Sequence, residues 1–432
     1  MEQANKISEE VAERLSLNRE AVIADFLSLE PLLQRTNLKT SLQSDERENK
    51  PSVSKEIPIL NLPDFSVDST SNVSEKDFVD RFVNHVENCG FDYDREDLLA
   101  FHISAKEQSP IILGGTSGTG KSSLPVLYAE SLAGDRESDF DFYLPVDVNP
   151  SWTNPSDLLG YMDAFEHRFI PASSGMFRQM TTAQHAHRNL GPDAPIFIVC
   201  LEELNLAQPE HYLADIIQAI SRSPGKQFIN VFDENAVKND DQFKSFAHLE
   251  IVPNLILVGT VNFDETTRPI SKRLLDRCNL IEFKVNDHLP IQNNLEARTG
   301  IAAVKGPPVL QADRKRWSNR DSNIEPEVID ILDQIYPILN TLGCNLTHRR
   351  QKLIYRFIAN SNGLCKNIEA LDMQLLQRIY PQIRRLYRPG ALDALDELIK
   401  KLEHKDVPRT LKALRVLREE ERAASTLVFG EE

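Results

Sequence analysis

A glycine-rich segment between apolar residues and a helical pattern places the strongest constraint on the fold of this chain. Residues 111–123 are Ile-Ile-Leu-Gly-Gly-Thr-Ser-Gly-Thr-Gly-Lys-Ser-Ser, and positions 115–122 fit G-x-x-x-x-G-K-[ST]. The apolar residues predict a strand before the glycines, and residues 122–133 predict a helix after them. Glycines let successive backbone N–H groups face phosphate oxygens, and a helix N-terminus adds positive charge. The segment therefore predicts a phosphate-binding loop.

This loop supplies the predicted nucleotide-binding residues. Lys121 offers a positive charge to the β- and γ-phosphates, and the Ser122 hydroxyl is a candidate Mg²⁺ ligand. The full predicted set is Gly115, Thr116, Ser117, Gly118, Thr119, Gly120, Lys121, Ser122 and Ser123.

Strand and helix patterns alternate after the loop. Residues 142–148, 196–201 and 255–260 predict strands, and the continuous apolar run at 196–201 is typical of a central strand buried on both faces. Such alternation predicts an α/β fold with a parallel sheet. Beyond residue 324 the apolar spacing is helical throughout.

Shifts in composition predict the domain organisation. Residues 1–42 form helices that we expect to bind a partner, and the proline-interrupted, Ser- and acid-rich stretch that follows has linker composition. The predicted parts are an N-terminal helical region (1–42), a linker (43–74), an α/β nucleotide-binding domain (75–298), a connector (299–323), a helical lid (324–405) and a C-terminal helix and tail (406–432).

Charge and composition limit the location and the partners. The 49 Lys and Arg residues against 65 Asp and Glu residues give a net charge of −16. An acidic body does not attract nucleic acid, so we expect DNA contact only through a local patch or a partner chain. The sequence has no apolar run of membrane-spanning length and no secretory signal, and its five cysteines lack paired spacing. These features predict a cytoplasmic protein without membrane contact.

Two glutamates close the strand predicted at 196–201. Glu202 and Glu203 should face the phosphate loop, because ligand sites of parallel sheets lie outside the carboxyl ends of the strands. A nucleotide hydrolase needs one carboxylate near Mg²⁺ and another to orient and deprotonate water. We assign Glu202 to the metal and Glu203 to the water.

Two further polar residues are candidates for catalysis. Asn262 follows the strand at 255–260, where it could hold the attacking water or contact the γ-phosphate, or serve only as a turn residue. Arg277 ends a helical segment and is suited to stabilise transition-state charge in a neighbouring subunit. An isolated arginine of this kind is more often a surface ion-pair partner.

The order of these motifs resembles the AAA+ superfamily of ring-forming P-loop ATPases over roughly residues 76–405. The resemblance implies Walker A at 115–122, Walker B at Glu202-Glu203 and sensor 1 at Asn262. It also implies an arginine finger and a sensor 2 arginine in the lid. Their matches are Arg277, with Arg273 as the alternative finger, and Arg349, with Arg350 as the alternative sensor 2.

A narrower resemblance is to the McrB-type clade of motor subunits in bacterial restriction and anti-phage systems. It rests on residues 152–161, 203–207, 259–267 and 376–383. The resemblance implies a hexameric ring, a separately encoded effector, often a nuclease, and an insertion with Gly160-Tyr161 that faces the pore. The chain departs from the clade in two respects: Glu202 replaces the usual Asp, and the short N-terminal region shows no modified-base-reading domain.

The predicted function is a ring ATPase that uses ATP, or GTP, with Mg²⁺ to remodel or activate an effector in phage defence. The sequence lacks the guanine-reading Asn-Lys-x-Asp pattern, which favours ATP. Two alternatives remain at this point. One is a nucleotide-gated scaffold in which Glu202 weakens hydrolysis, and the other is a MoxR-like chaperone ATPase.

Overall fold

The computed structural model describes most of the chain beyond the predicted linker. The described residues are 72–135, 141–163, 165, 167–223, 225–233, 244, 246–263, 268–283, 304–318, 324–384 and 390–429. They all belong to one compact unit, Leu62–Glu432. The predicted N-terminal helical region and nearly all of the predicted linker lie outside the described residues.

A five-stranded parallel sheet forms the centre of the described chain. In chain order the strands of the described residues are β1 Ile111–Gly115, β2 Tyr143–Asp147, β3 Gly160–Asp163, β4 Arg168–Pro171, β5 Phe197–Glu202, β6 Phe228–Asn230, β7 His248–Glu250, β8 Leu255–Asn262 and β9 Asn279–Glu282. The central sheet has the order β2-β5-β8-β1-β9, with every pair parallel. The predicted α/β class is confirmed.

The register of the sheet brings the ends of its strands together at one edge. Gly115 at the end of β1 lies opposite Asn262 at the end of β8, and Asp147 lies opposite Glu202 on β2 and β5. The apolar run in β5 is buried on both faces from Phe197 to Leu201, as predicted for a central strand. The carboxyl edge of the sheet therefore carries the phosphate loop and the acidic pair.

Helices surround the sheet and also make up the region that follows it. Helices around the sheet are Glu75–Asn88, Arg95–Lys106, Ser123–Ala133, Pro155–Leu159, Met176–Leu190, Pro209–Tyr212, Ala214–Ala219 and Lys272–Leu275, with a 3₁₀ turn at Gly191–Asp193. The helix after the loop begins one residue later than predicted, with Ser122 at its N-cap. The short helices Pro209–Tyr212 and Ala214–Ala219 are separated by Leu213.

The C-terminal region is helical, as predicted. Its helices are Pro326–Thr341, His348–Asn360, Asn367–Gln374, Tyr380–Ile383, Ala391–Leu402 and Pro408–Phe429, with a π-helical segment at Leu375–Ile379. The segment predicted as a connector contains a further helix, Gln311–Trp317, which is fixed because the Asp313 carboxylate accepts hydrogen bonds from the N–H groups of Val73 and Leu310. The last helix is joined to the rest of the region by Asp372, which accepts from the N–H of Thr410.

Two antiparallel hairpins extend from the central unit. β3 pairs with β4, and β6 pairs with β7. The first hairpin carries exposed aromatic side chains: Tyr161 is 54% exposed and Phe165, between its strands, is 96% exposed. Among the helices that the structure describes, none combines the length and apolar character needed to cross a membrane.

Candidate functional site: the cleft at the carboxyl edge of the sheet

The phosphate loop adopts a conformation that only glycine tolerates well at two of its positions. Gly118 has a φ angle of 83° and Gly120 one of 80°, in the left-handed region where a side chain is strained. Lys121 is buried, and its Nζ atom donates to the Thr116 carbonyl oxygen at 2.5 Å. The loop therefore holds its lysine along its own backbone.

An open cleft of about 590 Å³ lies against this loop. Its described lining comes from the ends of three strands (β2, β5 and β8), the loop and the segment before the helix that starts at Arg95. The lining residues are Phe91, Ser117, Gly118, Gly120, Lys121, Ser122, Ser123, Asp147, Val148, Glu202, Glu203, Leu206, Thr260 and Asn262. The structure thus brings together the loop, both glutamates and Asn262, which are up to 145 positions apart in sequence (262 − 117).

Ser122 and Glu202 form a pair that suits a metal ion. The Ser122 hydroxyl donates to Glu202 Oε2 at 3.2 Å. Neighbouring ligands in an octahedral Mg²⁺ shell are about 3.0 Å apart, because each lies about 2.1 Å from the ion. The two oxygens are therefore spaced to ligate one Mg²⁺ together after a small adjustment, with Ser122 supplying a hydroxyl and Glu202 a carboxylate.

The surroundings of Glu202 favour its neutral form when no cation is near. Burial, and then repulsion from Asp147 and Glu203, raises the pKa of Glu202, while the Ser122 hydrogen bond opposes this shift. A bound cation would favour the charged carboxylate. The acidic surroundings therefore make this position suited to a divalent cation.

Glu203 is held by its backbone and by Asn262. Its φ angle is 51°, a left-handed value that costs a non-glycine residue about 1 kcal/mol. The Glu203 N–H donates to Thr260 Oγ1 at 2.9 Å, and Asn262 Nδ2 donates to Glu203 Oε1 at 3.2 Å. The carboxylate is thereby directed into the cleft beside Asn262, where a water molecule could contact both.

Asn205 fixes the backbone around Asn262. This buried side chain donates from Nδ2 to the carbonyl oxygens of Asn262, at 2.9 Å, and Arg268, at 3.0 Å. The turn after β5 is thus tied to the end of β8 by Asn205 as well as by Thr260. These contacts set the relative position of Glu203 and Asn262.

The predicted arginines lie together, and none of them is part of the described lining of the cleft. Arg273 and Arg349 are exposed, and Arg277 is half-buried. Arg277 donates from Nε to Ser221 Oγ at 2.5 Å and from Nη1 to the Arg273 carbonyl oxygen at 2.5 Å. Burial lowers the pKa of Arg277, as does repulsion from Arg349 and Arg273. We call Arg273, Arg277 and Arg349 the arginine face.

Arg350 differs from Arg349 in its environment. The Arg350 side chain is buried, forms an ion pair with Asp276, and donates to the Asn345 carbonyl oxygen at 2.8 Å. Gln382 also donates to Asp276, at 3.3 Å. Arg350 therefore fastens the helical region to the segment that carries Arg273 and Arg277, whereas Arg349 faces solvent.

Some residues of the site do not stand out in the sequence. Thr260 and Asn205 fall inside recognisable motifs, but their hydrogen bonds depend on two strands meeting. Asp147 ends a strand, as Glu202 does, and this position at a strand end is a sequence signal for a place in the cleft. Phe91 and Tyr93 precede the helix at Arg95, and no pattern links them to the phosphate loop 20 residues or more away.

Similarity to known proteins is limited. Residues 307–424 match a family profile described as a domain of unknown function, DUF8727. This part of the chain contains Arg349 and Arg350 and none of the described cleft residues. No curated protein matches the chain in sequence at a significant level.

Two solved structures are similar to this chain at low identity. One is a protein from Cytophaga hutchinsonii, assigned provisionally as an ATPase, with 12% identity, 76% of this chain and 95% of that chain covered, and a TM-score of 0.48. The other is a full-length MCM homolog from Methanopyrus kandleri, with 12% identity, 80% and 63% covered, and a TM-score of 0.36. Similarity at this level assigns no activity to the chain.

Proposed function

We propose that this chain is a P-loop nucleoside triphosphatase of the AAA+ type, which hydrolyses ATP, or GTP, with Mg²⁺. One observation carries the proposal: a single cleft contains the phosphate loop with Lys121, the Ser122–Glu202 pair and the Glu203–Asn262 pair. The first would bind phosphates, the second would hold Mg²⁺, and the third would orient the attacking water. Bound Mg²⁺ would neutralise charge on the phosphate oxygens.

The roles of the residues follow from their contacts. Lys121 would exchange its hydrogen bond to the Thr116 carbonyl for the phosphate oxygens, which are stronger acceptors for an ammonium group. Glu203 would accept a proton from water, and the amide of Asn262 would keep that carboxylate in place. In this proposal Glu202 serves the metal and takes no proton.

The charge of the cleft supports completion by a second subunit. Three carboxylates, from Asp147, Glu202 and Glu203, line the described part of the cleft, and Lys121 is the one cation in that lining. A triphosphate adds further negative charge. The arginine face of a neighbouring copy would supply the missing cations, with Arg277 as the finger and Arg273 as its alternative. A head-to-tail contact of this kind closes into a ring.

The proposed biological role is that of the motor subunit of a McrB-type restriction or anti-phage system. We propose a hexameric ring that activates a separately encoded effector, such as a nuclease. The hairpin with exposed Tyr161 and Phe165 supports a pore position, since exposed aromatic side chains can grip a substrate. DNA contact would be indirect or made by these pore loops, because the chain carries a net charge of −16.

The test is phosphate release by the purified chain with Mg²⁺, alone and with the product of the adjacent gene. We expect the ATP turnover per chain to rise with protein concentration, because the site needs two subunits. Stimulation by the neighbouring gene product would support the role as a motor. A turnover per chain that does not depend on protein concentration would contradict completion of the site in trans.

A nucleotide-gated scaffold is the second candidate, and the environment of Glu202 favours it. The longer Glu side chain reaches the Ser122 hydroxyl directly, and its raised pKa reduces its negative charge. A displaced metal shell would slow hydrolysis while nucleotide still drives assembly. Glu202→Asp distinguishes the candidates: a strong gain in turnover supports the scaffold, and an unchanged or lower rate supports the motor.

A further inference from the structure

The side chain of Tyr93 contacts the phosphate loop where the loop has no room for a side chain of its own. The Tyr93 hydroxyl donates a hydrogen bond of 2.8 Å to the Gly120 carbonyl oxygen. A Cβ atom added at Gly120 would collide with that hydroxyl. Burial raises the pKa of Tyr93 far above its usual range, so the hydroxyl stays a donor. Tyr93 and Gly120 are therefore closely fitted to each other.

Two aromatic neighbours hold the Tyr93 ring. The Phe91 ring stacks on it with centroids 5.6 Å apart and planes at 13°, and the Phe283 ring lies 5.2 Å away at 50°. The Phe283 N–H donates to the Gly114 carbonyl oxygen at 2.8 Å, and its own carbonyl oxygen would lie 2.8 Å from a Cβ atom at Gly115. The aromatic row Phe91, Tyr93 and Phe283 thus contacts both ends of the loop.

The hydrogen bond to Gly120 also sets a neighbouring donor. The peptide unit is planar and trans, so its C=O and N–H groups point in opposite directions. The Gly120 carbonyl also accepts from the N–H groups of Ser123 and Leu124. Together with these bonds, the Tyr93 hydroxyl fixes the N–H of Lys121, which points away from Tyr93. Backbone N–H groups of this kind hold phosphate in glycine-rich loops.

Phe91 brings the aromatic row to the cleft. Its half-buried ring lines the same cleft as Lys121 and Ser123, and it is the aromatic residue in the described lining. Aromatic faces stack on nucleobases irrespective of their identity. One side of this ring is occupied by Tyr93, and a base placed against Phe91 would extend the stack.

We propose that Tyr93 is a positioning residue for the phosphate loop and that Phe91 contacts the base of the bound nucleotide. The inference rests on the proposed function, because it assumes that the cleft takes a nucleoside triphosphate. The short segment 91–93 then links base contact to phosphate contact. The base is held by stacking, and the phosphates by a loop that Tyr93 keeps in its binding conformation.

Calorimetry with ATP and with inorganic tripolyphosphate, both with Mg²⁺, separates the two roles. Tyr93→Phe removes one hydrogen bond and should lower the affinity for both ligands by the same factor, about fivefold. Phe91→Ala removes the stacking surface and should lower the affinity for ATP about tenfold. Tripolyphosphate should bind to this variant as it does to the wild type. A purely structural role of Phe91 would not divide the two ligands in this way.

Tyr336→Phe is the matched control, because it removes the same hydroxyl from an exposed tyrosine of the helix Pro326–Thr341. It should leave both affinities unchanged. Hydrogen exchange of residues 115–123 adds a measurement that does not depend on a ligand. We expect faster exchange of these amides in Tyr93→Phe and wild-type exchange in Tyr336→Phe, at equal Tm.

The outcomes distinguish this inference from the proposed function. A wild-type chain that binds neither ligand overturns the proposed function and the inference with it. If the wild type binds both ligands, unchanged affinities and unchanged loop exchange in Tyr93→Phe overturn the role of Tyr93. If Phe91→Ala lowers the affinity for both ligands equally, or lowers neither affinity, the base contact is overturned.

Discussion

The cleft and the arginine face have opposite charge and are built in different ways. The cleft carries Asp147, Glu202 and Glu203 with Lys121 in its described lining, and its residues are fixed by strand ends and backbone hydrogen bonds. The arginine face gathers like charges that repel one another, and repulsion contributes to the lowered pKa of Arg277. Each region has the charge that the other lacks, as the proposed completion of the cleft by a neighbouring copy requires.

The two regions also differ in what holds them. The cleft belongs to the sheet and its loops, whereas the arginine face has members in the segment before β9, Arg273 and Arg277, and in the helical region, Arg349. Asp276, beside Arg277, is bound by Arg350 and Gln382 of the helical region. A change in the position of the helical region would therefore move Arg277 and Arg349 together.

The largest effect is expected at the phosphate loop. Lys121→Ala removes the one cation in the described lining of an acidic cleft, so nucleotide binding should fall below detection. Calorimetry with ATP and Mg²⁺ measures this change, and Lys76→Ala, an exposed lysine outside the cleft, is the control. Retained wild-type affinity would break the assignment of the cleft.

The next effect tests the arginine face. Arg277→Ala should leave nucleotide binding by the monomer intact and lower turnover of the assembled protein about 1,000-fold, as expected when an arginine finger is lost. Arg273→Ala, on the same face, should have the smaller effect. Steady-state phosphate release above and below the assembly concentration measures both variants. A larger loss in Arg273→Ala would exchange their roles.

A smaller loss is expected for the proposed base. Glu203→Gln keeps the shape and the Asn262 contact but cannot take a proton from water, so turnover should fall about 100-fold or more. Nucleotide binding should persist and trap the assembled ring, which size-exclusion chromatography with ATP would detect. Normal hydrolysis by this variant would assign the base elsewhere.

The smallest effect concerns repulsion within the cleft. Asp147 contributes to the raised pKa of Glu202, after burial. Since the pKa of Glu202 is raised, this carboxylate is charged at high pH and becomes neutral as the pH falls. Asp147→Asn should therefore raise the Tm of the nucleotide-free protein by about 1–2 °C at pH 8 and by less at pH 5, given partial exposure. A larger gain at pH 5 would contradict this origin of the shift.

The sequence predicts the sheet and the loop because both depend on local patterns. The glycine spacing fixes the loop, and the apolar run of β5 marks a strand buried on both faces. Strand ends then place Glu202, Glu203 and Asn262 at one edge without further information. Four strands of the central sheet, β1, β2, β5 and β8, are predicted within two residues of their observed bounds for the same reason, whereas β9 is not predicted.

Other features depend on contacts between distant segments and are not predictable from local patterns. The Tyr93 contact with Gly120 joins a loop to a residue 27 positions away, and Thr260 reaches Glu203 over 57 positions. The choice between Arg349 and Arg350 has no local signal, because both follow the same helix start. The helix Gln311–Trp317 was expected to be a connector, since prolines and polar residues surround it.

Mixing two inactive variants tests the central claim most directly. Glu203→Gln chains have an intact arginine face, and Arg277→Ala chains have an intact cleft. If the cleft of one copy is completed by Arg277 of the next, an equal mixture should regain roughly a quarter of wild-type ATP turnover, because that fraction of contacts in a head-to-tail ring pairs two intact halves. A mixture that stays as inactive as its components, although both variants bind ATP and assemble together, would contradict the account.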